Sequence, residues 1–439
     1  MGFNTTNRTK HGHNTIKHSQ APLNFNGKIY MVVWKFFPCS EGGAERQCRK
    51  LVTHLSKQGY SCTVLTSRLN RGLTAEEVLS EGYSIQRVGR FAWIEEAFKK
   101  VFRKIRGTIS SSDKGQVNDA IEFWFALPFV WISRLSFMFA LKSFLKKNRN
   151  AVDVVHVHEA HWIAGSVAWA CQGFGLPVVC KEASFPAVEQ LSYDTPFRRT
   201  LARLRKQLHF IALTDAVADS LKQIGISTEQ INTVPNGVEL PEESSPVIGT
   251  RNIVYIGNLT QGAEWKAFDI LFEAWVLAQK QDQGRSRLVV LGAGNPDTWK
   301  KYLDQHGCLD SVYFAGAVKD VAPYLQQARL FLLPSRVEGM SNALLEAMSW
   351  GVPAVVSDIP ANRSLIRHGI NGWVVPVNDS RALADAVITL LADEALSLRL
   401  GCAARQEIEK KYTMDHIAVR LTKLYDKLIA QNMKDASIR

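Results

Sequence analysis

Residues 333–358 read LPSRVEGMSNALLEAMSWGVPAVVSD, and this stretch confines the chain to an α/β architecture. Phe331, Leu332 and Leu333 close an apolar run of strand length, which Pro334 and Ser335 break. Gly339 loosens the loop that follows. Ser341 stands where an N-cap belongs, ahead of Ala343, Leu344, Ala347 and Met348 at helical spacing. Gly351 and Pro353 stop that helix, and Ala354, Val355 and Val356 begin the next strand. Open α/β sheets take their ligands at the carboxyl ends of such strands.

Two glutamates belong to this unit, Glu338 in the loop and Glu346 in the helix, with seven residues between them. A helix start presents free N–H groups and partial positive charge, which suit a phosphate. A carboxylate accepts two hydroxyl hydrogen bonds, so the vicinal diols of ribose or a hexose suit Glu338 and Glu346. By spacing alone the same glutamates could equally be solvated on a buried unit's surface. The run PSRVEGMSNALLEAMSWGVPAVVSD resembles the donor-site segment of glycosyltransferase family 4, and the resemblance extends over most of residues 29–430. It implies the GT-B fold, with two Rossmann-like doubly wound domains facing a cleft, and a retaining transferase. It also implies that Glu338 lies by the donor sugar, helped by the backbone of Gly339, Met340, Ser341 and Asn342, while Glu346 binds the ribose.

Elsewhere the chain repeats the same alternation of buried strand and helix. Ile29–Val33 precedes a loop ending in Gly42-Gly43, then a helix with Ala44, Cys48, Leu51, Val52 and Leu55 on one face, then the strand Cys62–Leu65. A glycine pair lets backbone approach a ligand, although as a bare signal it is often only a turn. The family resemblance places Gly42 and Gly43 by the donor phosphate and the acceptor. DVVHVH (153–158) reads as a buried parallel strand, followed by a helix and the strand Pro177–Cys180. Where relatives carry a histidine after that second strand, this chain has Lys181 and Glu182. His158, Lys181 and Glu182 are therefore the acceptor-side candidates. VPNGVE (234–239) resembles the family's end-of-domain segment. The expected organisation is a disordered tail (1–27), an acceptor domain (28–238), a linker (239–251), a nucleotide-sugar domain (252–402) and a terminal helix (403–431) that returns to the first domain.

In the second domain, Lys266 suits a diphosphate, since an ammonium pairs with it and stabilises charge on the leaving group. The resemblance implies a clamp of Arg and Lys at this place. Here Asn258 stands at the Arg position and Lys266 is kept. Gly292-Ala293-Gly294 follows a strand, but Asp297 replaces the third glycine of a dinucleotide motif, so it reads as a turn beside the donor. No Asp-x-Asp occurs, and neither metal nor cofactor is expected.

Charge and cysteine content narrow the partners. The net charge of +12 is uneven, and residues 98–149 alone hold 11 basic and 3 acidic side chains. That points to an anionic partner: nucleic acid, lipid head groups or a phosphorylated acceptor. Without any nucleic-acid-binding motif nucleic acid is the weakest of the three, and the expected partner is an anionic membrane surface met through residues 98–141. Phe98–Arg106 interleaves Phe98, Val101, Phe102 and Ile105 with five cations, and Phe123–Leu141 is aromatic and apolar but interrupted by Pro128 and Arg134. Its longest uncharged run, Phe123–Ser133, is eleven residues, short of a spanning helix at about 20 residues. The seven dispersed cysteines favour reduced thiols and a cytoplasmic setting. The expected activity is transfer from a nucleotide sugar to a glycan or lipid-linked acceptor at the inner face of a cytoplasmic membrane. The alternatives are a GT-B epimerase and a non-catalytic nucleotide-sugar-binding protein.

Overall fold

The structure is a computed structural model that describes residues 27–40, 42–98, 101, 117–187, 190–192, 195–242, 249–260 and 262–438. The expected tail apart from Gly27, most of the segments 98–106 and 108–119, and the centre of the linker lie outside these.

Two sheets form. The first runs, edge to edge, Glu76–Val78, Ser84–Val88, Ser61–Ser67, Lys28–Val32, Val154–Val157, Val178–Glu182, His209–Ala212 and Ile231–Thr233. All its pairings are parallel except the outermost, between Glu76–Val78 and Ser84–Val88. The second sheet, parallel throughout, runs Val312–Gly316, Arg287–Leu291, Asn252–Ile256, Leu330–Leu333, Ala354–Ser357 and Trp373–Val375. Each sheet is doubly wound. Chain order reverses between Lys28–Val32 and Val154–Val157 in one, and between Asn252–Ile256 and Leu330–Leu333 in the other. A crevice opens at the carboxyl end of such a switch point. The inner strands read as unbroken apolar runs because helices cover both faces; Leu330–Leu333 and Ala354–Ser357 are buried at every position.

The last helix ties the domains together. Met414, Ile417, Leu421, Leu424, Tyr425 and Leu428 share one core with Ile29, Met31, Val33, Leu51 and Leu55 of the first domain. Its start is later than expected at 403. The helix Glu394–Lys411 still belongs to the second domain, where Ala404 and Ile408 are fully buried, and the chain breaks at Tyr412–Thr413 before Met414–Ile438 begins. There Gly237 passes so close that a Cβ would lie 2.7 Å from Met414 Sδ, which accounts for the glycine in VPNGVE.

The helix Val117–Asn148 runs on through Pro128 and Arg134, which interrupt its apolar sequence. Pro128 removes one hydrogen bond at an exposed position. Beyond it, Phe137, Met138, Leu141 and Leu145 are 0–2% exposed in the first core and hold the helix in register. Arg134 is buried with them, its guanidinium 3.3 Å from Thr195 Oγ1 and stacked over Trp162. By length and composition alone, Trp124–Ala151 is long and apolar enough to cross a membrane, with a mean hydropathy of 1.5. The packing of its second half decides otherwise for that half. Its first half exposes Trp124, Phe125, Phe129, Trp131 and Ile132.

Candidate active site

The cleft between the domains encloses about 350 Å³. Its second-domain wall is made by Asn258, Trp265, Lys266, Gly292, Ala293, Asn342 and Glu346. Gly42, Gly43, Arg46, Gln47 and Lys50 face them from the first domain.

Local sequence builds the second-domain wall. Pro334 and Ser335 end the strand Leu330–Leu333, and Ser341 caps the helix Asn342–Ser349, its Oγ accepting from Leu344 N at 3.2 Å. Glu338, in the loop between, accepts from Lys266 Nζ at 2.7 Å and from Ser335 Oγ at 2.9 Å. This pair is shielded, with side chains 23% and 12% exposed. Lys266 closes the short turn Glu264–Lys266. Arg336 braces the loop and the turn together, donating to the carbonyl of Glu264 and to both carboxylate oxygens of Asp269. Asn258 is turned to its neighbours, with Oδ1 accepting from Ala293 N at 2.9 Å. Gly292 and Gly294 allow that contact, since a Cβ on either would lie 2.1 Å from a carbonyl oxygen of residues 257–259. Gly292-Ala293-Gly294 is thus a turn beside the cleft, as its spacing suggests.

The two glutamates do not converge on one point in this structure; each carries its own lysine. Glu346 Oε1 accepts from Lys50 Nζ at 2.7 Å, a contact between the domains. Asn342 is also bridged across, its Oδ1 accepting from Gln47 Nε2 at 3.0 Å and from Asn236 Nδ2 at 2.9 Å. Met340 is buried, with its sulfur 3.3 Å from Asn236 N. Gly339 packs on the first domain's Ala183, where a Cβ would stand 1.8 Å from the carbonyl oxygen.

The acceptor-side candidates lie deeper than expected. His158 is 1% exposed, stacked 4.6 Å from His156, and neither of its ring nitrogens has a hydrogen-bond partner. Burial first, then His156 and Lys181, hold it neutral far below the usual histidine range. Lys181 is buried and donates to Asn236 Oδ1 at 3.1 Å, so it supports the bridge to Asn342 rather than lining the cleft. Burial brings its ammonium down to about 8. Glu182 is buried beneath Ser184, whose N–H it accepts at 2.9 Å.

Other groups were not singled out by pattern. Lys50, Gln47 and Arg46 sit on the helix Gly43–Lys57, where surface cations and amides carry no signal of their own. Glu159 follows HVH directly, and its carboxyl is pushed up to about 7 by burial and then by the carboxylate of Glu45, with Lys35 opposing. A carboxyl in that range exchanges protons near neutral pH. Among the described residues no group of three His, Cys, Asp or Glu side chains is placed to hold a metal ion.

Comparison with known proteins follows this geometry. A family model described as Glycosyltransferase Family 4 matches residues 41–242, and one described as Glycosyl transferases group 1 matches residues 250–393. The chain is 31% identical to the amylovoran biosynthesis glycosyltransferase AmsK of Erwinia amylovora over 45% of this chain and 50% of that one. It is 27% identical to the phosphatidyl-myo-inositol mannosyltransferase of Mycobacterium leprae, over 64% and 75%. It is 23% identical to the UDP-Gal:alpha-D-GlcNAc-diphosphoundecaprenol alpha-1,3-galactosyltransferase of Escherichia coli, over 61% and 73%. The chain thus spans half the length of the first relative and about three quarters of the other two. In fold it is similar to sucrose-phosphate synthase from Thermosynechococcus elongatus, with a TM-score of 0.67 at 19% identity over 92% of this chain and 99% of that one. It is also similar to Anabaena Alr3699/HepE in complex with UDP and glucose, with a TM-score of 0.65 at 17% identity over 90% and 98%.

Proposed function

Because the chain belongs to glycosyltransferase family 4, matched by family models over residues 41–242 and 250–393, we propose that it moves a sugar from a nucleoside-diphosphate donor to an acceptor hydroxyl, with retention at the anomeric carbon. The observation that carries this reading is the grouping at the cleft of Lys266, Glu346 and the helix start at Asn342, with Gly42-Gly43 opposite and Glu338 bonded to Lys266 beside it. Lys266 and the helix start face the diphosphate. Glu338 orients the sugar, and Glu346 takes the ribose diol. As the bond to the anomeric carbon breaks, its electron pair leaves with the diphosphate, and the Lys266 ammonium stabilises that charge. The acceptor approaches from the first domain.

The donor test is a thermal-shift panel of UDP-, GDP- and ADP-sugars, followed by product analysis with the acceptor and NMR assignment of the new anomeric centre. A ligand at 100 times its Kd should stabilise the fold by about 2.7 kcal/mol. A glycoside with the donor's anomeric configuration is the expected product. Release of free sugar alone points to an epimerase, and binding without turnover to a non-catalytic protein; either overturns the reading. Cations and helix dipole supply the charge that a metal would otherwise bring, so activity is expected to survive EDTA. Loss on chelation, restored by Mg²⁺ or Mn²⁺, refutes this.

We further propose that the acceptor is lipid-linked and that the first domain rests on the inner face of the cytoplasmic membrane. What supports this is the exposed aromatic side of Val117–Asn148: Trp124 is 68% and Phe125 65% exposed, with Trp131 and Phe139 also partly outward. Aromatic side chains settle at head-group level, and the cation excess in residues 98–149 favours an anionic surface. Co-sedimentation with vesicles should rise with anionic lipid and fall with salt. Changing Trp124, Phe125 and Trp131 together to Ser should lower it by about tenfold or more. A protein that stays in the supernatant at low salt with anionic vesicles has a soluble acceptor instead.

A further inference from the structure

The first domain's wall of the cleft is basic. Arg46 and Lys50 stand one turn apart on the helix Gly43–Lys57, and both line the space that Lys266 and Asn258 line from the other side. A diphosphate entering that space brings two negative charges. From the second domain it meets one cation: Asn258 is uncharged and hydrogen-bonded to Ala293, and Lys266 shares its charge with Glu338 at 2.7 Å. Lys50 is engaged as well, but with the carboxylate assigned above to the ribose, Glu346, at 2.7 Å. The lysine and glutamate side chains are 26% and 23% exposed, so solvent and ligand can reach the pair.

A diol that takes the Glu346 oxygens must displace the Lys50 ammonium from Oε1. The displaced group has a four-carbon flexible stem and a compact charge. In a nucleoside diphosphate the phosphates are attached to the same ribose, so a negative partner arrives with the group that displaces it. Left without one, a partly shielded ammonium would be costly. Resting on the nucleotide-sugar reading above, we propose that Lys50 is the second cation of the diphosphate site. It is supplied from the first domain and exchanges from Glu346 to the phosphate when the donor binds. The Lys50–Glu346 pair spans the cleft in this structure, and a Lys50–phosphate pair would span it with the donor bound, so that the donor itself ties the domains together.

Titration calorimetry on the full chain separates this from a simple obstruction. UDP, GDP and ADP are compared with uridine, guanosine and adenosine, for wild type, Lys50→Gln and Lys50→Arg. Lys50→Gln should raise the Kd of the diphosphate by about tenfold or more and flatten its salt dependence, while the parent nucleoside binds as in wild type or more tightly. Lys50→Arg should restore the diphosphate's affinity. If Lys50→Gln leaves diphosphate affinity unchanged, or tightens diphosphate and nucleoside alike, Lys50 only competes for Glu346 and the proposal is wrong. If wild type binds none of the three diphosphates, it is the nucleotide-sugar reading that fails, and this is seen before any variant is compared.

Discussion

Lys266→Ala is expected to lower kcat by about 10²- to 10³-fold, the loss typical when one preorganised donor to a developing negative charge is removed. The ammonium lies at the cleft, 2.7 Å from Glu338, and Asn258 beside it has no charge with which to substitute. The variant also leaves Glu338, only 12% exposed, without its ion-pair partner, and that destabilises the loop. The double variant Lys266→Ala, Glu338→Gln reads the stability part alone. It removes the stranded charge, so melting temperature should recover toward wild type, and a Lys266→Ala melting temperature equal to that of the double variant would assign the kcat loss to the missing ammonium rather than to a loosened loop. A kcat for Lys266→Ala within about twofold of wild type would falsify the assignment of Lys266 to the leaving group.

Gly339→Ala should be nearly as damaging, through geometry alone. The added Cβ would lie 1.8 Å from the Ala183 carbonyl oxygen and 2.8 Å from its carbon. Both obstacles are backbone, so no side chain can swing aside; the loop and the first domain must part by more than about 1 Å. Glu338 is the adjacent residue, and a displacement of that size at a reacting centre lowers rate by about 100-fold. Each domain keeps its own core, so far-UV circular dichroism should be unchanged while kcat/KM falls by about 100-fold. Gly72→Ala is the control, because its Cβ meets nothing nearer than Asn70 Oδ1 at 3.5 Å. Wild-type kcat/KM in Gly339→Ala would mean that the domain contact at Ala183 is not needed for turnover.

Much of the fold was legible because its signals are local. An apolar run with Pro or Gly at its end makes a strand whatever the rest of the chain does, and Leu330–Leu333 and Ala354–Ser357 form where the pattern puts them. The Ser341 cap is satisfied within three residues. The short strands Glu76–Val78, Ser84–Val88 and Trp373–Val375 carry no comparable signal: the first and last are edge strands, the second lies next to an edge, and all are short with polar or mixed sequence. The long helix Val117–Asn148 defied its own Pro128 because burial of Phe137, Met138, Leu141 and Leu145 outweighs one lost hydrogen bond.

The sequence by itself determined two doubly wound domains, the strand–loop–helix unit that carries Glu338 and Glu346, and the family to which that unit points. The tertiary structure alone decided which groups meet. Lys50 and Glu346 are 296 positions apart, and Gln47 and Asn342 are 295 apart. Nothing in the pattern of the helix Gly43–Lys57 marks one surface lysine above another. Nor does sequence tell that Lys181 lies beneath the cleft, holding Asn236, rather than within it. The reason is physical. Periodicity and caps are set by neighbours a few residues away. Ion pairs and amide bridges between domains are set by how two separately packed sheets dock, here through Gly339 on Ala183 and a last helix that begins at Met414 and packs on Ile29, Met31 and Val33 of the first domain.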